Sequence, residues 1–228
     1  MLKAFSSLIL DQSCYGCGKN LIIQEKMVCF ECLGQMQGDD SIQRPMDNEL
    51  YYRLAGKVPL DGAASMYYFD KAGRLQRLIQ HIKYKDAMML ARHLGSLWGQ
   101  QLRDGAFCEA DTQIIAVPLH WRRRWQRGYN QAAEIGKGMA AAMDLKQSDN
   151  ILKRKAHTRT QTRLSGQARW KNVSEAFTLT RKPPRRILLV DDVITTGATL
   201  EACIRVLAQH PEPPEKIYVS SLAIARKH

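Results

Sequence analysis

The chain has 228 residues, 45% of them hydrophobic and 25% charged, which is the composition of an ordinary soluble globular protein. This length accommodates one α/β domain with a small appendage, and no apolar run reaches the length of a transmembrane helix. The formal net charge of +12 indicates anionic partners such as phosphates, nucleic acid or an acidic membrane surface.

A short apolar run lies at the amino terminus, between Lys3 and Cys14. A lipoprotein signal shows a similar pattern, but here the run is short and the residues directly before Cys14 are polar. Leu2, Phe5 and Leu8 have the spacing of an amphipathic helix instead. We therefore expect an N-terminal helix and a cytoplasmic protein.

Four cysteines follow in two Cys-x-x-Cys pairs, Cys14 with Cys17 and Cys29 with Cys32, with eleven residues between the pairs. This spacing is typical of a zinc ribbon or knuckle, so we predict a structural zinc ion bound by all four thiolates. Because no coordination position then remains open, we expect no catalysis at this metal. Two disulfides, a redox pair and an iron–sulfur site are the alternatives, and the sequence leaves open whether the head binds DNA or protein.

The chain divides into three parts. We assign residues 1–40 to an N-terminal helix and the zinc-binding head, residues 41–62 to a connector rich in turn-forming residues, and residues 63–228 to the main domain. At the start of the main domain, residues 63–69 alternate as a strand does. Two amphipathic helices follow, the second over about residues 88–102.

A basic segment follows the apolar strand predicted at residues 114–117. Residues 117–131 read VPLHWRRRWQRGYNQ, in which the strand leads into a basic loop and a helix begins near Asn130. An anion is favoured at such a place, and Arg124 and Arg127 offer charge-assisted hydrogen bonds to phosphate oxygens. The alternative is a solvated basic loop whose aromatic residues pack on the core, namely Trp121, Trp125 and Tyr129.

Residues 152–176 are polar and basic, with little apolar periodicity before Trp170. Such a segment inside a compact domain is often an active-site lid. The middle of this segment contains Arg159, Thr160, Gln161 and Arg163. The alternatives are a flexible surface loop and an RNA-binding arm.

Residues 187–199 read ILLVDDVITTGAT and contain the strongest functional signal. The first four residues predict a buried parallel strand that ends before Asp191 and Asp192, and a helix follows the hydroxyl-rich turn. Open α/β sheets bind ligands at this junction, where free backbone N–H groups favour a phosphate. We therefore predict that the turn binds a phosphate while the two acids bind ribose hydroxyls.

Two alternatives apply to this stretch. One is an ordinary strand-to-helix turn with solvated aspartates, and the other is the acid strand of a nucleoside triphosphatase. The second lacks its partner motif, because GxxxxGK[ST] does not occur in the chain.

Together, these motifs resemble a known family. Residues 187–199 resemble the 5-phosphoribosyl-1-pyrophosphate (PRPP) signature of the type I phosphoribosyltransferases. The cysteine head, residues 82–84 (IKY), residues 117–120 (VPLH) with 127–131 (RGYNQ), and the signature resemble, in this order, the ComF family. The resemblance implies a Rossmann-like type I phosphoribosyltransferase core with a parallel sheet, a small N-terminal zinc ribbon or knuckle with four cysteine ligands, and involvement in DNA uptake and competence.

The resemblance also implies a role for each candidate residue. PRPP is bound by Asp191, Asp192, Thr195, Thr196, Gly197, Ala198 and Thr199. The pyrophosphate loop comprises Leu119, His120, Arg124 and Arg127, and the lid comprises Arg159, Thr160, Gln161 and Arg163. Magnesium arrives with PRPP, and a nucleophile displaces pyrophosphate from the ribose.

Thr195 departs from the pattern of the purine-salvage relatives, which carry a carboxylate base at this position. A 6-oxopurine acceptor is therefore not expected, and neither a general base nor an acceptor is assigned. Two functions remain open. One is a magnesium-dependent phosphoribosyltransferase, and the other is a non-catalytic, nucleic-acid-handling protein that uses the pocket as a binding or sensing module. The expected partners are PRPP or a related phosphosugar or nucleotide, single-stranded DNA and other competence proteins.

Overall fold

The computed structural model of the protein describes residues 13–69, 73–84, 87–155 and 176–226. The helix expected within residues 1–12 lies outside the described residues. The lid residues Arg159, Thr160, Gln161 and Arg163 also lie outside them.

The described residues form seven helices and seven strands. In chain order they are α1 (Phe30–Gln35), α2 (Glu49–Leu54), β1 (Gly62–Phe69), α3 (Arg74–Tyr84), α4 (Met88–Asp104), β2 (Gln113–Ala116), α5 (Trp121–Arg127), α6 (Gln131–Met143), β3 (Lys146–Gln147), β4 (Leu152–Arg154), β5 (Phe177–Leu179), β6 (Arg186–Ile194), α7 (Ala198–Ala208) and β7 (Lys216–Ala225). No helix among these described residues is long and apolar enough to cross a membrane.

The central sheet has five strands in the order β1-β7-β6-β2-β3. Every neighbouring pair in this sheet is parallel. Strands β4 and β5 form a separate antiparallel pair. The α/β class and the parallel sheet that the sequence predicts are therefore confirmed.

Strand β6 occupies the middle of the sheet, and both of its faces are covered. Leu188 and Val190 pack in the core cluster that contains residues of α3, α4 and α6. Ile187 and Leu189 pack in the other cluster, with residues of α2 and α7. All four side chains are fully buried, which explains why this strand reads as a continuous apolar run rather than an alternating one.

Helices α4 and α6 pack unusually closely, because glycines lie where they cross. A Cβ atom on Gly95 would be 2.2 Å from the carbonyl oxygen of Ile135, and one on Gly138 would be 2.0 Å from the carbonyl oxygen of Arg92. Any larger side chain at either glycine would force the two helices apart.

Residues 41–62, which the sequence assigns to a connector, contribute α2 to the main core. Leu50 and Leu54 of this helix are fully buried beside β6 and α7. Asn48 caps the helix, since its side-chain oxygen accepts a hydrogen bond from the backbone N–H of Tyr51. Helix α2 therefore packs directly beneath the predicted PRPP signature.

Strand β6 is longer than the sequence predicts, because it continues through the acid pair to Ile194. Val193 and Ile194 pair with Ala223 and Ile224 of β7, which extends the ladder beyond the apolar run. The expectation that the strand ends at Val190 was therefore wrong, and the acids lie within the paired part of the strand.

Candidate functional site

The four cysteines of the head form one cluster in which all four sulfur atoms lie within 4.8 Å of one another. The Sγ atoms of Cys14 and Cys32 are 3.7 Å apart, and those of Cys17 and Cys29 are 3.8 Å apart. A regular tetrahedron with zinc–sulfur bonds of about 2.3 Å has edges of about 3.8 Å, whereas a disulfide requires about 2.05 Å. The cluster therefore fits a tetrahedral structural zinc, and the alternative of two disulfides does not fit the distances.

The backbone of the head stabilises a thiolate in this cluster. Burial acts to raise the pKa of Cys14, but backbone N–H groups, those of Cys29 and Gly16 among them, outweigh it and lower the pKa to about 7. Gly16 has no room for a side chain, because a Cβ atom there would be 2.9 Å from the Sγ atom of Cys32. The glycine inside the first Cys-x-x-Cys pair thus allows the tight turn that the site needs.

The acid pair lies at the carboxyl edge of the sheet, and its two members have different neighbours. The Oδ2 atom of Asp192 is 3.2 Å from the ammonium of Lys83. Burial raises the pKa of Asp191 to about 8, and the adjacent charge of Asp192 adds to the effect. In the ligand-free protein at neutral pH, Asp191 therefore holds a proton while Asp192 is paired with Lys83.

Lys83 belongs to the IKY motif, and its surroundings show why that motif matters. The hydroxyl of Tyr129 donates a hydrogen bond to the carbonyl oxygen of Ile82. The guanidinium of Arg127 lies over the ring of Tyr84, 5.4 Å from its centroid. These two contacts hold the end of α3 against the end of α5 and the residues that follow it, and they place Lys83 beside the acid pair.

The predicted phosphate turn connects β6 to α7. Gly197 adopts φ +80°, and a Cβ atom there would be 3.0 Å from the Cδ2 atom of Leu54. Thr195 and Thr196 are exposed, and α7 begins at Ala198, inside the predicted turn. The turn thus presents two hydroxyl side chains directly before the amino end of an eleven-residue helix.

Arg53 of α2 holds the start of this turn in place, and the sequence did not indicate this role. Its side chain is 2% exposed, and it donates hydrogen bonds to the carbonyl oxygens of Thr195 and Ala225. It also pairs with Glu49 one turn earlier in α2. No local pattern indicates these contacts, because Thr195 is 142 positions away in the sequence.

The basic segment before Asn130 is a helix, α5, and not the loop that we expected. The Nδ1 atom of His120 accepts a hydrogen bond from the backbone N–H of Arg122, 3.3 Å away, and so caps the helix. Gly128 ends it in the left-handed conformation, with φ 73°. The predicted pyrophosphate loop is therefore a capped turn, Leu119 and His120, followed by a helix that contains Arg124 and Arg127.

The aromatic residues of this segment have different environments. Trp121 is 53% exposed and Trp125 is 86% exposed, whereas Tyr129 is buried. The alternative in which all three aromatic residues pack on the core is thus wrong for the two tryptophans and correct for Tyr129.

The chain that leads to His120 runs beside the strand of the acid pair, since the backbone N–H of Val117 donates to the carbonyl oxygen of Val190 at 2.9 Å. Arg154 of β4 links the two electrostatically. Burial lowers the pKa of His120, and the charge of Arg154 lowers it further. The pKa of Arg154 is itself lowered by burial, although the charge of Asp191 partly opposes this.

The structure thus places the acid pair, the hydroxyl turn and the His120 turn together at one edge of the sheet. Arg127 is already engaged there, because its Nη1 atom donates to the Oε1 atom of Gln131 at 3.0 Å. Lys83, Arg53 and Arg154 complete the surroundings of the site. The geometry provides carboxylates, cations and free backbone N–H groups, which are the groups that bind a phosphorylated sugar.

Comparison with known proteins finds relatives whose names refer to competence or to DNA utilization. Over 140 residues, the chain is 39% identical to Competence protein F of Haemophilus influenzae. The aligned part covers 58% of this chain and 61% of that protein. Over 145 residues, it is 30% identical to DNA utilization protein YhgH of Escherichia coli O6:H1. This alignment covers 62% of this chain and 64% of that protein. The match thus spans about three fifths of the length of these relatives. No protein-family model matches the chain.

Among solved structures, the chain is similar to one titled glutamine phosphoribosylpyrophosphate (PRPP) amidotransferase from B. subtilis complexed with ADP and GMP. The TM-score is 0.43 at 18% identity, and the match covers 64% of this chain and 30% of that one. The parallel sheet and the cysteine cluster described above establish the fold class without this similarity. The similarity to Competence protein F agrees with the resemblance to the ComF family that the sequence motifs show.

Proposed function

We propose that this ComF-like chain binds PRPP at the carboxyl edge of β2 and β6 and transfers its phosphoribosyl group, with magnesium, to an acceptor that we leave open. The observation that supports the proposal is the pairing of two carboxylates with the glycine-containing hydroxyl turn on one strand-to-helix junction. In this arrangement the turn from Thr195 to Thr199 binds the 5-phosphate. Asp191 and Asp192 bind the ribose hydroxyls, and the turn at His120 faces the pyrophosphate.

The acid pair supplies oxygen atoms of the kind that magnesium and ribose hydroxyls prefer. Magnesium, when bound with PRPP, neutralises charge on the departing pyrophosphate. In the ligand-free protein, a proton on Asp191 and the ammonium of Lys83 on Asp192 occupy these groups. Binding at the carboxylates therefore displaces both, and we expect PRPP to bind more tightly as the pH rises from about 6 towards 8.

A thermal-shift experiment tests the binding step. Magnesium with PRPP is expected to raise the melting temperature of the wild type, because a ligand that binds only the folded state stabilises it. The double variant Asp191→Asn with Asp192→Asn should lose this shift. Asp149→Asn, which changes an exposed acid outside the site, is the matched control and should retain it. A wild type that shows no shift would refute the proposal.

Turnover is a separate question, because Thr195 stands where a carboxylate base would be needed for a 6-oxopurine. We propose a screen of nitrogenous acceptors with PRPP, read out by release of pyrophosphate. Release that depends on one acceptor and is lost in Asp191→Asn would support the transferase. Binding of PRPP without release, over the whole panel, would favour a non-catalytic sensing module.

A second candidate function, binding of single-stranded DNA, is favoured by the surface of α5. Trp121 and Trp125 are exposed there among Arg122, Arg123 and Arg124. Exposed aromatic rings beside cations are the means by which proteins bind single strands without sequence preference, each stacked base contributing about 1–3 kcal/mol. The names of the relatives, Competence protein F and DNA utilization protein, agree with this candidate.

The DNA candidate is tested by fluorescence anisotropy with a labelled single-stranded oligonucleotide. Trp125→Ala should weaken binding about fivefold or more without lowering stability, because the ring is almost fully exposed. Tyr52→Ala, which removes an exposed ring in α2, is the control and should leave binding unchanged. Binding should also weaken steeply with salt, and binding that ignores both salt and Trp125 would exclude this surface.

We infer further that the protein acts in the cytoplasm in the uptake or use of DNA, together with other competence proteins. The four cysteines of the head are spaced for a metal ion rather than for disulfides, which agrees with a reducing compartment, where disulfides are rare.

A further inference from the structure

A cavity lies between the zinc-binding head and the packed helices α4 and α6, and none of its lining residues belongs to the candidate PRPP site. Its volume is about 600 Å³. This is within the range of cavities that bind small organic ligands. The residues that matter to its chemistry are Lys26 and Met27 from the head, Met89, Arg92 and His93 from α4, and Lys137 from α6.

The cavity carries an excess of positive charge. Glu134, which is almost fully buried, accepts hydrogen bonds from both Arg92 and Lys137, the latter at 2.8 Å. The side chains of these two cations are 43% and 45% exposed, so each still faces solvent. Lys26 is exposed and adds a third cation. Three cations against one carboxylate leave a net charge of +2 at this place.

His93 is uncharged at neutral pH, and it lies where α4 meets the head. Burial lowers its pKa, and the positive charge of Lys26 lowers it further, although a hydrogen bond with the Lys26 backbone acts in the opposite direction. This interaction lies between α4 and the head. One wall of the cavity therefore depends on the folded, metal-binding head.

Apart from Ser96, the remaining lining is apolar. Met89 is exposed and Met27 is half-buried, and Gly138 and Ala141 of α6 also line the cavity. Methionine thioethers pack favourably against aromatic rings and adapt to different shapes. The cavity thus combines a cationic side with a flexible apolar side.

We propose that this cavity binds a nucleoside monophosphate, independently of the PRPP site. A phosphomonoester carries a charge of about −2 at pH 7, which matches the net charge of the three cations and Glu134. The phosphate lies against Lys26, Arg92 and Lys137, and the base lies against Met27 and Met89. Arg92 and Lys137 keep their bonds to Glu134 and use their remaining N–H groups for the phosphate.

NMR of protein labelled with ¹³C in the methionine methyl groups tests the proposal at the site itself. The two methionine signals are assigned with Met27→Leu and Met89→Leu. Adenosine 5′-monophosphate is the probe, and it should shift both signals in a saturable manner. Adenosine alone and inorganic phosphate alone should each bind at least about tenfold more weakly, because each lacks one half of the contacts.

Two charge variants, together with the acid-pair double variant, test where on the protein the nucleotide binds. Lys26→Glu should weaken binding of adenosine 5′-monophosphate about tenfold or more, since it reverses an exposed charge at the cavity. Lys146→Glu makes the same change in net charge on an exposed lysine of β3 that does not line the cavity. It should change the affinity less than about twofold, because salt and solvent screen charges that do not contact the ligand. Zinc content, measured for both variants, confirms that the head is folded.

The double variant Asp191→Asn with Asp192→Asn should bind the nucleotide as the wild type does, which separates this cavity from the PRPP site. Three results would overturn the proposal: no saturable shift of the Met27 and Met89 signals, equal effects of Lys26→Glu and Lys146→Glu, or loss of nucleotide binding in the double variant. None of these results would bear on whether PRPP binds at β6.

Discussion

Arg53→Met is expected to destabilise the protein strongly, because this buried guanidinium bonds two backbone carbonyl oxygens at the base of the phosphate turn. A hydrogen bond to a charged group contributes about 1.5–3 kcal/mol, so two of them contribute about 3–6 kcal/mol. The ion pair with Glu49 adds less than about 1 kcal/mol, since that carboxylate is about one third exposed. We therefore expect a loss of about 4 kcal/mol in the free energy of unfolding.

The loss is measured by thermal unfolding followed by circular dichroism. For a chain of this length, about 4 kcal/mol corresponds to a decrease of about 8–16 °C in melting temperature. Arg53→Lys keeps the charge but not the planar set of donors, and it should recover only part of the loss. Arg44→Met removes an exposed arginine and is the matched control, which should leave the melting temperature within about 2 °C of the wild type.

The reasoning about Arg53 also concerns function. If this residue holds Thr195 in place, magnesium with PRPP should stabilise Arg53→Lys less than it stabilises the wild type. An Arg53→Met variant that unfolds at the wild-type temperature would refute the assignment of Arg53 as the anchor of the turn.

Three further predictions concern the head, the acid pair and the turn. The purified chain should contain one zinc ion by elemental analysis, and Cys32→Ser should lose it and unfold at a lower temperature. The pKa of Asp191 is raised to about 8 in the fold from about 4 unfolded, so its contribution to stability is present below about pH 4 and is lost as the pH rises towards 8. Asp191→Asn should therefore raise the melting temperature of the ligand-free protein more at about pH 8 than at about pH 5, and an equal effect at both values would contradict the raised pKa. Gly197→Ala should lower the free energy of unfolding, measured with denaturant, by about 1–2 kcal/mol, because alanine is strained at positive φ and its Cβ atom meets Leu54. An unchanged denaturation midpoint would show that the turn adapts.

The strands of the sheet could be predicted because their signal is local. Residues such as Ile187 and Leu189 are buried on both faces of a parallel sheet, and this burial requires a continuous apolar run that is visible in the sequence. The spacing of the four cysteines is local in the same way.

The end of β6 and the helix α5 could not be predicted, because neither has an apolar pattern. Asp191 and Asp192 interrupt the apolar run, yet the neighbouring β7 continues to pair as far as Ile194. Helix α5 has no buried residue, so no periodicity marks it. Its boundaries depend on the His120 cap and on Gly128, and these are signals that a loop also shows.

The contacts that organise the site were the hardest to foresee, because they join distant parts of the chain. Lys83 reaches Asp192, Arg53 reaches Thr195, and Arg154 interacts electrostatically with both His120 and Asp191. Arginine and lysine at such positions read as ordinary surface residues of a basic protein. Lys83 had a usable signal in its motif, whereas Arg53 had none.

Isothermal titration of the wild type with PRPP in the presence of magnesium tests the central claim most directly. We expect saturable binding to one site, affinity that increases from about pH 6 to about pH 8 with release of a proton, and loss of binding in Asp191→Asn with Asp192→Asn. Asp149→Asn should bind as the wild type does. Absence of heat in the wild type, or undiminished binding in the double variant, would show that the carboxyl edge of β6 is not a PRPP site.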